Sequence, residues 1–177
     1  NGLLATMRYL HQYGIRFAGI GENLADASAP VYMDCENGRV ALIAATSSFH
    51  EAWRAGNQRG DMQGRPGVNP LRFQTKLHVT AEELAALRKI AEETQIDAQQ
   101  LLDIKEGFAV ETPGAFRFGG HEFVESEAPG KETIPHPADL KRITASIQEA
   151  KSQADCVMVS IHSHELGGLR KDCLLYT

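Results

Sequence analysis

The sequence predicts an α/β fold, and three observations carry that expectation. Helical periodicity opens the chain and returns after Thr80 and after Pro137. Two nearly continuous apolar runs, over 39–45 and 156–161, have the character of strands covered on both faces of a sheet. The second run follows directly on a helix and ends in polar residues, the arrangement in which α/β folds place their chemistry at strand C-terminal ends.

Leu3, Leu4, Met7, Leu10 and, weakly, Tyr13 recur at helical spacing, and Gly14 stops the helix as a C-cap. Residues 15–21 read as a short strand running into a glycine turn. One or two helical turns follow over 22–29, ended by Pro30. A hairpin comes next, with a first strand at Val31, Tyr32 and Met33, a turn at Glu36, Asn37 and Gly38, and a second strand over 39–45. Asn-Gly between apolar runs is the strongest short-range hairpin signal.

From 46 to 76 the texture changes. Gly56, Gly60, Gly64, Pro66, Gly67 and Pro70 break every period, and Arg54, Arg59, Arg65 and Arg72 are interspersed. The stretch 55–77 reads as an Arg/Gly-rich loop insertion, and loops of this length tend to be functional when ordered. Thr80 and Glu83 then form a capping box, with Leu84, Leu87, Ile90 and Ala91 as the buried stripe. A short helix over 98–104 and a hairpin of 116–118 with 121–124 around Gly119-Gly120 follow. Pro137 opens the last helix, with Leu140, Ile143, Ile147 and Ala150 on one face. The strand over 156–161 begins at Cys156, expected to be a buried, inert thiol.

A chain of 177 residues, 42% hydrophobic and 23% charged, is the size and composition of one ordinary globular domain. The net charge of −5 and the lack of any basic run longer than two residues argue against a nucleic-acid face. No stretch approaches the roughly 18 apolar residues of a spanning helix. The opening Asn1-Gly2 has no initiator Met and no leader pattern, which leaves export open. Cys35, Cys156 and Cys173 are odd in number with no CxxC spacing, which speaks against a disulfide framework or a cysteine metal cluster.

His162, His164 and Glu165 form the sharpest chemical cluster. Imidazole nitrogens and a carboxylate oxygen are the usual ligands of zinc, manganese or iron, and a strand end holds them rigidly. At i, i+2 the two histidines point the same way if the strand continues. The bland alternative is an exposed polar strand end. Arg59, Arg65 and Arg72, among freed glycine amides, suit a carboxylate or phosphate, and the alternative there is a solvated loop. Ser47, just past the strand over 39–45, is placed to line a site or to cap a turn. His50, His78, His121 and His136 are isolated and read as structural or exposed. GxSxG, Walker and GxGxxG patterns do not occur.

Three stretches together resemble a known family: GIRFAGIGENLADASAP over 14–30, GRVALIAATSSF over 38–49, and ADCVMVSIHSHE over 154–165. In order and spacing they are similar to the bacterial capsule-synthesis CapA family, the poly-gamma-glutamate synthesis group, a branch of the calcineurin-like metallophosphoesterases. The resemblance implies two stacked sheets flanked by helices, with a two-metal site at the strand ends. It implies that His162 is the lone metal-binding histidine that follows a later strand, and that Glu165 is the acidic residue often found beside it.

The family's other ligand motifs, upstream and downstream, have no counterpart here. The resemblance therefore implies a partial domain over 1–170, followed by an anomalous tail over 171–177. The complete protein is expected to be a metal-dependent hydrolase of capsule polymer biosynthesis using divalent metal ions. Its substrate is expected to be an anionic polymer or a phosphoester, and its partners membrane capsule-synthase proteins, often at the outer face of the bacterial membrane. This chain alone is expected to be inactive. The rival readings are a non-catalytic module that binds an anionic polymer for a membrane synthase, and an unrelated α/β fold carrying HxHE as a surface accident.

Overall fold

A computed structural model of the chain describes residues 2–164. The fold is mixed α/β, as the patterning predicts, and it divides into two units. One comprises the described residues up to Arg72 and from Pro135 onward, and the other is Phe73–Ile134.

In the first unit α1 (Gly2–Gln12) buries Met7, and Gly14, at a φ of 66°, takes the left-handed conformation that ends a helix. Tyr13 is exposed. The strand expected over 15–21 is reduced to β1 (Ile20–Gly21), because its pairing partner is equally short. α2 (Leu24–Ser28) is capped by the nearly buried Asn23, whose side chain accepts the Asp26 N–H at 3.0 Å. β2 (Val31–Cys35) and β3 (Gly38–Thr46) form the expected hairpin, in register from Cys35↔Gly38 to Val31↔Leu42.

Residues 46–76 are more regular than a loop. A 3-10 turn spans Glu51–Trp53, and β4 (Gly67–Val68) pairs antiparallel with β1. The expected loop ends early, at β5 (Phe73–Val79), a strand of the second unit whose mixed polar composition hid it.

That second unit continues with α3 (Ala81–Thr94), α4 (Ala98–Lys105), β6 (Phe116–Phe118), β7 (His121–Glu125) and β8 (Gly130–Pro135). Its sheet runs β6-β7-β5-β8, with β7 antiparallel to β6 and parallel to β5. Gly119 and Gly120, at φ 57° and 82°, make the tight two-residue turn that the hairpin requires. α3 begins at the expected capping box and buries Leu84, but Ile90 of the expected stripe is exposed. β8, Gly-Lys-Glu-Thr-Ile-Pro, is a sheet-edge strand with too little apolar content to announce itself.

The chain returns to the first unit through α5 (Pro137–Gln153) and β9 (Cys156–His162). β9 adds parallel to β3, from Val40↔Cys156 to Thr46↔His162. Asp155 sets this register, since its carboxylate accepts the Arg39 N–H at 2.7 Å and its own N–H donates to the Arg39 carbonyl at 2.9 Å. The core is small and tight: Ala41 and Ile43 of β3 meet Ala150 of α5, with Tyr32, Ile147, Ala154 and Val157 around them. Alanines at the contact let the helix lie close on the strand.

Two expectations about burial are corrected. Among the described residues β3 is the central strand of the order β2-β3-β9, but β9 is an edge. Met158, Val159 and Ile161 are more than 40% exposed and Cys156 is an exposed thiol, because α5 shelters little of β9 beyond Val157. On α5, Leu140 is half exposed and the charged Asp139 takes the buried place. Among the described residues, no helix is long and apolar enough to cross a membrane.

Candidate functional site

The parallel pairing of β3 with β9 brings Thr46 and His162 side by side at the C-terminal rim of the sheet. Beyond them the chains stay joined: the Ser47 N–H donates to the His162 carbonyl at 2.9 Å, and the His164 N–H donates to Ser48 Oγ at 2.7 Å. Thr46 Oγ1 donates to the Ser48 carbonyl and accepts the Ser48 N–H, which closes a tight hydroxyl turn after β3. The imidazoles of His162 and His164 lie edge to face with centroids 4.5 Å apart, as their i, i+2 spacing requires, and both are exposed. Ser47 Oγ is buried and has no hydrogen-bond partner among the described residues.

Beside His162 opens a shallow cavity of about 280 Å³, floored by Ala44, Gly19 and Ile20 and walled by Val68, Phe49 and Trp53. Gly19, at φ 84°, passes so close under Ala44 that a side chain there would collide with the strand.

The arginines sit elsewhere. Arg54, Arg65 and Arg72 gather around a separate cavity of about 150 Å³ with Asp139. Each is already engaged: Arg54 with Glu51 at 2.6 Å, Arg65 with the Arg54 carbonyl at 3.0 Å, and Arg72 with Asp139 at 2.7 Å. Arg59 lies in solvent opposite Asp61. None of the four lines the His162 cavity among the described residues.

Sequence reasoning missed the strongest polar assembly. Asp139, fully buried, accepts hydrogen bonds from Arg72 and from Arg142 Nη1, the latter at 2.6 Å. Asn69, 1% exposed, accepts from Arg142 and donates to the Ala44 carbonyl at 2.8 Å, while its Oδ1 also receives the Ser28 hydroxyl. Burial raises the Asp139 pKa, but hydrogen bonds from Arg72 and Arg142 outweigh it and hold the carboxyl well below the usual carboxylate range. The available signal was positional, because 139, 143 and 150 share one face of α5.

For the divalent ions that the resemblance implies, His162 and His164 offer two adjacent imidazole nitrogens, a donor pair suited to zinc-like metals. Among the described residues, no group of three or more His, Cys, Asp or Glu gathers into a ligand set. Glu165 and the tail over 171–177 lie outside the described residues.

The chain matches the family described as bacterial capsule synthesis protein PGA_cap over residues 1–170. It is 30% identical over 173 residues to y4sH, an uncharacterized protein of Sinorhizobium fredii (strain NBRC 101917 / NGR234), covering 94% of this chain and 34% of the relative. The match to y4uA of the same organism, also uncharacterized, has the same identity and coverage. The chain thus spans about a third of the length of the curated relatives it matches. On the family match and the α/β fold together, this chain belongs to the bacterial capsule synthesis protein family.

Proposed function

We propose that the complete protein is a metal-dependent hydrolase of capsule-polymer biosynthesis and that this chain supplies one wall of its site. The observation that carries the reading is the register pair Thr46↔His162, which puts an imidazole at the C-terminal rim beside a run of hydroxyl residues. His162 and His164 hold the metal, with Glu165 as a further ligand. Ser48 Oγ fixes the backbone of His164, and the Ser47 amide fixes that of His162, so the strand end that carries the two rings is held before any ion arrives. The ion, once bound, supplies Lewis-acid polarisation and an activated water. The substrate is a phosphoester or an anionic capsule polymer, and a membrane capsule synthase is the partner.

The experiment uses the full-length parent protein and its His162→Ala variant. Metal content after dialysis and hydrolysis of bis(p-nitrophenyl) phosphate are measured on both. We expect the variant to lose most of its metal and about 100-fold in turnover. Unchanged metal content in the variant overturns the reading.

The gathering of Arg54, Arg65 and Arg72 around one cavity favours a second reading, that of a non-catalytic module for an anionic polymer. Salt-dependent binding of polyglutamate that is lost in Arg65→Ala but kept in His162→Ala would support it.

A further inference from the structure

The cavity beside His162 is lined differently from the arginine cavity. Among the described residues no Lys, Arg, Asp or Glu lines it, and its apolar lining includes Ile20, Val68, Phe49 and Trp53. Trp53 is 63% exposed, an unusual exposure for so large an apolar side chain. Its backbone, by contrast, sits in a hydrogen-bonded turn. The Trp53 N–H donates to the His50 carbonyl at 2.8 Å, and the next turn is closed by the Ala55 N–H donating to the Val68 carbonyl at 3.0 Å. His50 caps the 3-10 turn by accepting the Ala52 N–H on Nδ1, and its ring leans on the indole with centroids 5.9 Å apart. The result is a largely exposed aromatic residue on a hydrogen-bonded turn, lining a cavity that His162 also lines.

We infer that this cavity is a saccharide subsite, in which Trp53 stacks on the C–H face of one sugar ring of a glycan substrate. A flat indole offers its electron-rich face to polarised C–H groups, and a pyranose presents such a face. Hydroxyls at the edge of the ring then reach donors and acceptors on the cavity's polar side, which here are Ser48 and His162. Ser48 Oγ accepts from the His164 N–H and keeps its own proton for a ligand oxygen. An aliphatic chain or a benzene ring leaves these polar groups unused. At about 280 Å³ the cavity lies at the small end of ligand pockets and holds one ring. The inference rests on the reading of this rim as the substrate-facing edge, and it specifies the substrate moiety that docks there.

Trp53 is the only tryptophan of the chain, so its fluorescence reports this site alone. The chain is titrated in EDTA with maltotriose, with cellotriose and with tri-N-acetylchitotriose, and separately with γ-glutamyl-glutamate. We expect a saturable emission change with at least one trisaccharide, at dissociation constants on the order of 1 mM, as a single-ring contact implies. By ligand-observed NMR, Trp53→Ala should bind that trisaccharide at least about tenfold more weakly, and Trp53→Phe should fall in between. Flat titrations with all three saccharides overturn the proposal, whether or not the peptide binds, and so does undiminished binding by Trp53→Ala. Because metal is absent throughout, a failure of the metal reading leaves this test intact. Metal retention without saccharide binding sinks this proposal alone.

Discussion

Arg72 and Asp139 meet through three hydrogen bonds: Nε to Oδ2 at 2.7 Å, Nη2 to Oδ1 at 2.9 Å, and the Arg72 backbone N–H to Oδ2 at 3.0 Å. The carboxylate has no exposed surface, and Arg142 supplies a fourth bond. This assembly ties the segment after β4 to the first turn of α5. Asp139→Asn should therefore cost about 3–5 kcal/mol, because it leaves two guanidinium groups without their anion. Arg59→Ala, which breaks an exposed pair, should change stability by less than about 0.5 kcal/mol. The pH dependence follows from the lowered Asp139 pKa. Its stabilisation is complete above the unfolded value, near 3.9, and is lost as pH falls toward the depressed folded value. Urea midpoints should be insensitive to this group between about pH 6 and 8 and fall below about pH 4, with a shallower fall in Asp139→Asn. Equal slopes in the two proteins would count against the assignment.

Gly67→Ala should destabilise the first unit. A methyl group there overlaps the Ala55 nitrogen and the Trp53 carbonyl oxygen, both of them backbone atoms that cannot yield without moving the turn. Overpacking of this kind costs about 1–3 kcal/mol. The emission maximum of Trp53 should shift in the folded variant as well, since the turn that mounts it is displaced. A variant with parental stability and spectrum would refute the close approach.

Thr80→Ala removes one half of a complete capping box and should cost about 1 kcal/mol. The Glu83 carboxylate accepts the Thr80 N–H and hydroxyl at 2.8 and 3.0 Å, which lowers its pKa. Hydrogen exchange should quicken at the first-turn amides of α3 while the amides of β3 keep their protection. Uniform quickening along the whole chain would be the contrary result.

The fourth expectation concerns metal on the 177-residue chain itself. Two adjacent imidazoles and one neighbouring carboxylate fall short of a closed zinc set of about four ligands. Dialysed chain should retain clearly substoichiometric zinc or manganese and show no phosphodiester hydrolysis above buffer. Stoichiometric metal with parent-like turnover would mean that other histidines, such as His50, complete the set.

The helices were legible because their signals are local: a capping box at Thr80, a proline at 137, a glycine at 14. The β2–β3 hairpin was legible for the same reason, through Asn37-Gly38. β5 and β8 were not, because their residues are polar and their pairing depends on partners far along the chain. The apolar run of β9 announced a strand, but apolarity alone does not tell an edge from a centre. At the site, the rim position of His162 could be read from the switch to polar residues after 161. That the arginines hold protein groups rather than converge on His162 could not be read, since a guanidinium has many acceptors to choose from and the sequence names none.

The His136 N–H donates to the Arg72 carbonyl at 2.8 Å, at the point where the chain leaves the first unit and re-enters it. Lengthening such an excursion is cheap, about 0.6 kcal/mol for each doubling of its length. Relatives are therefore free to enlarge, trim or exchange this segment with little disturbance to the sheet that presents His162. Divergence should accumulate in it, and a short glycine–serine bridge from 72 to 135 should leave the host sheet folded.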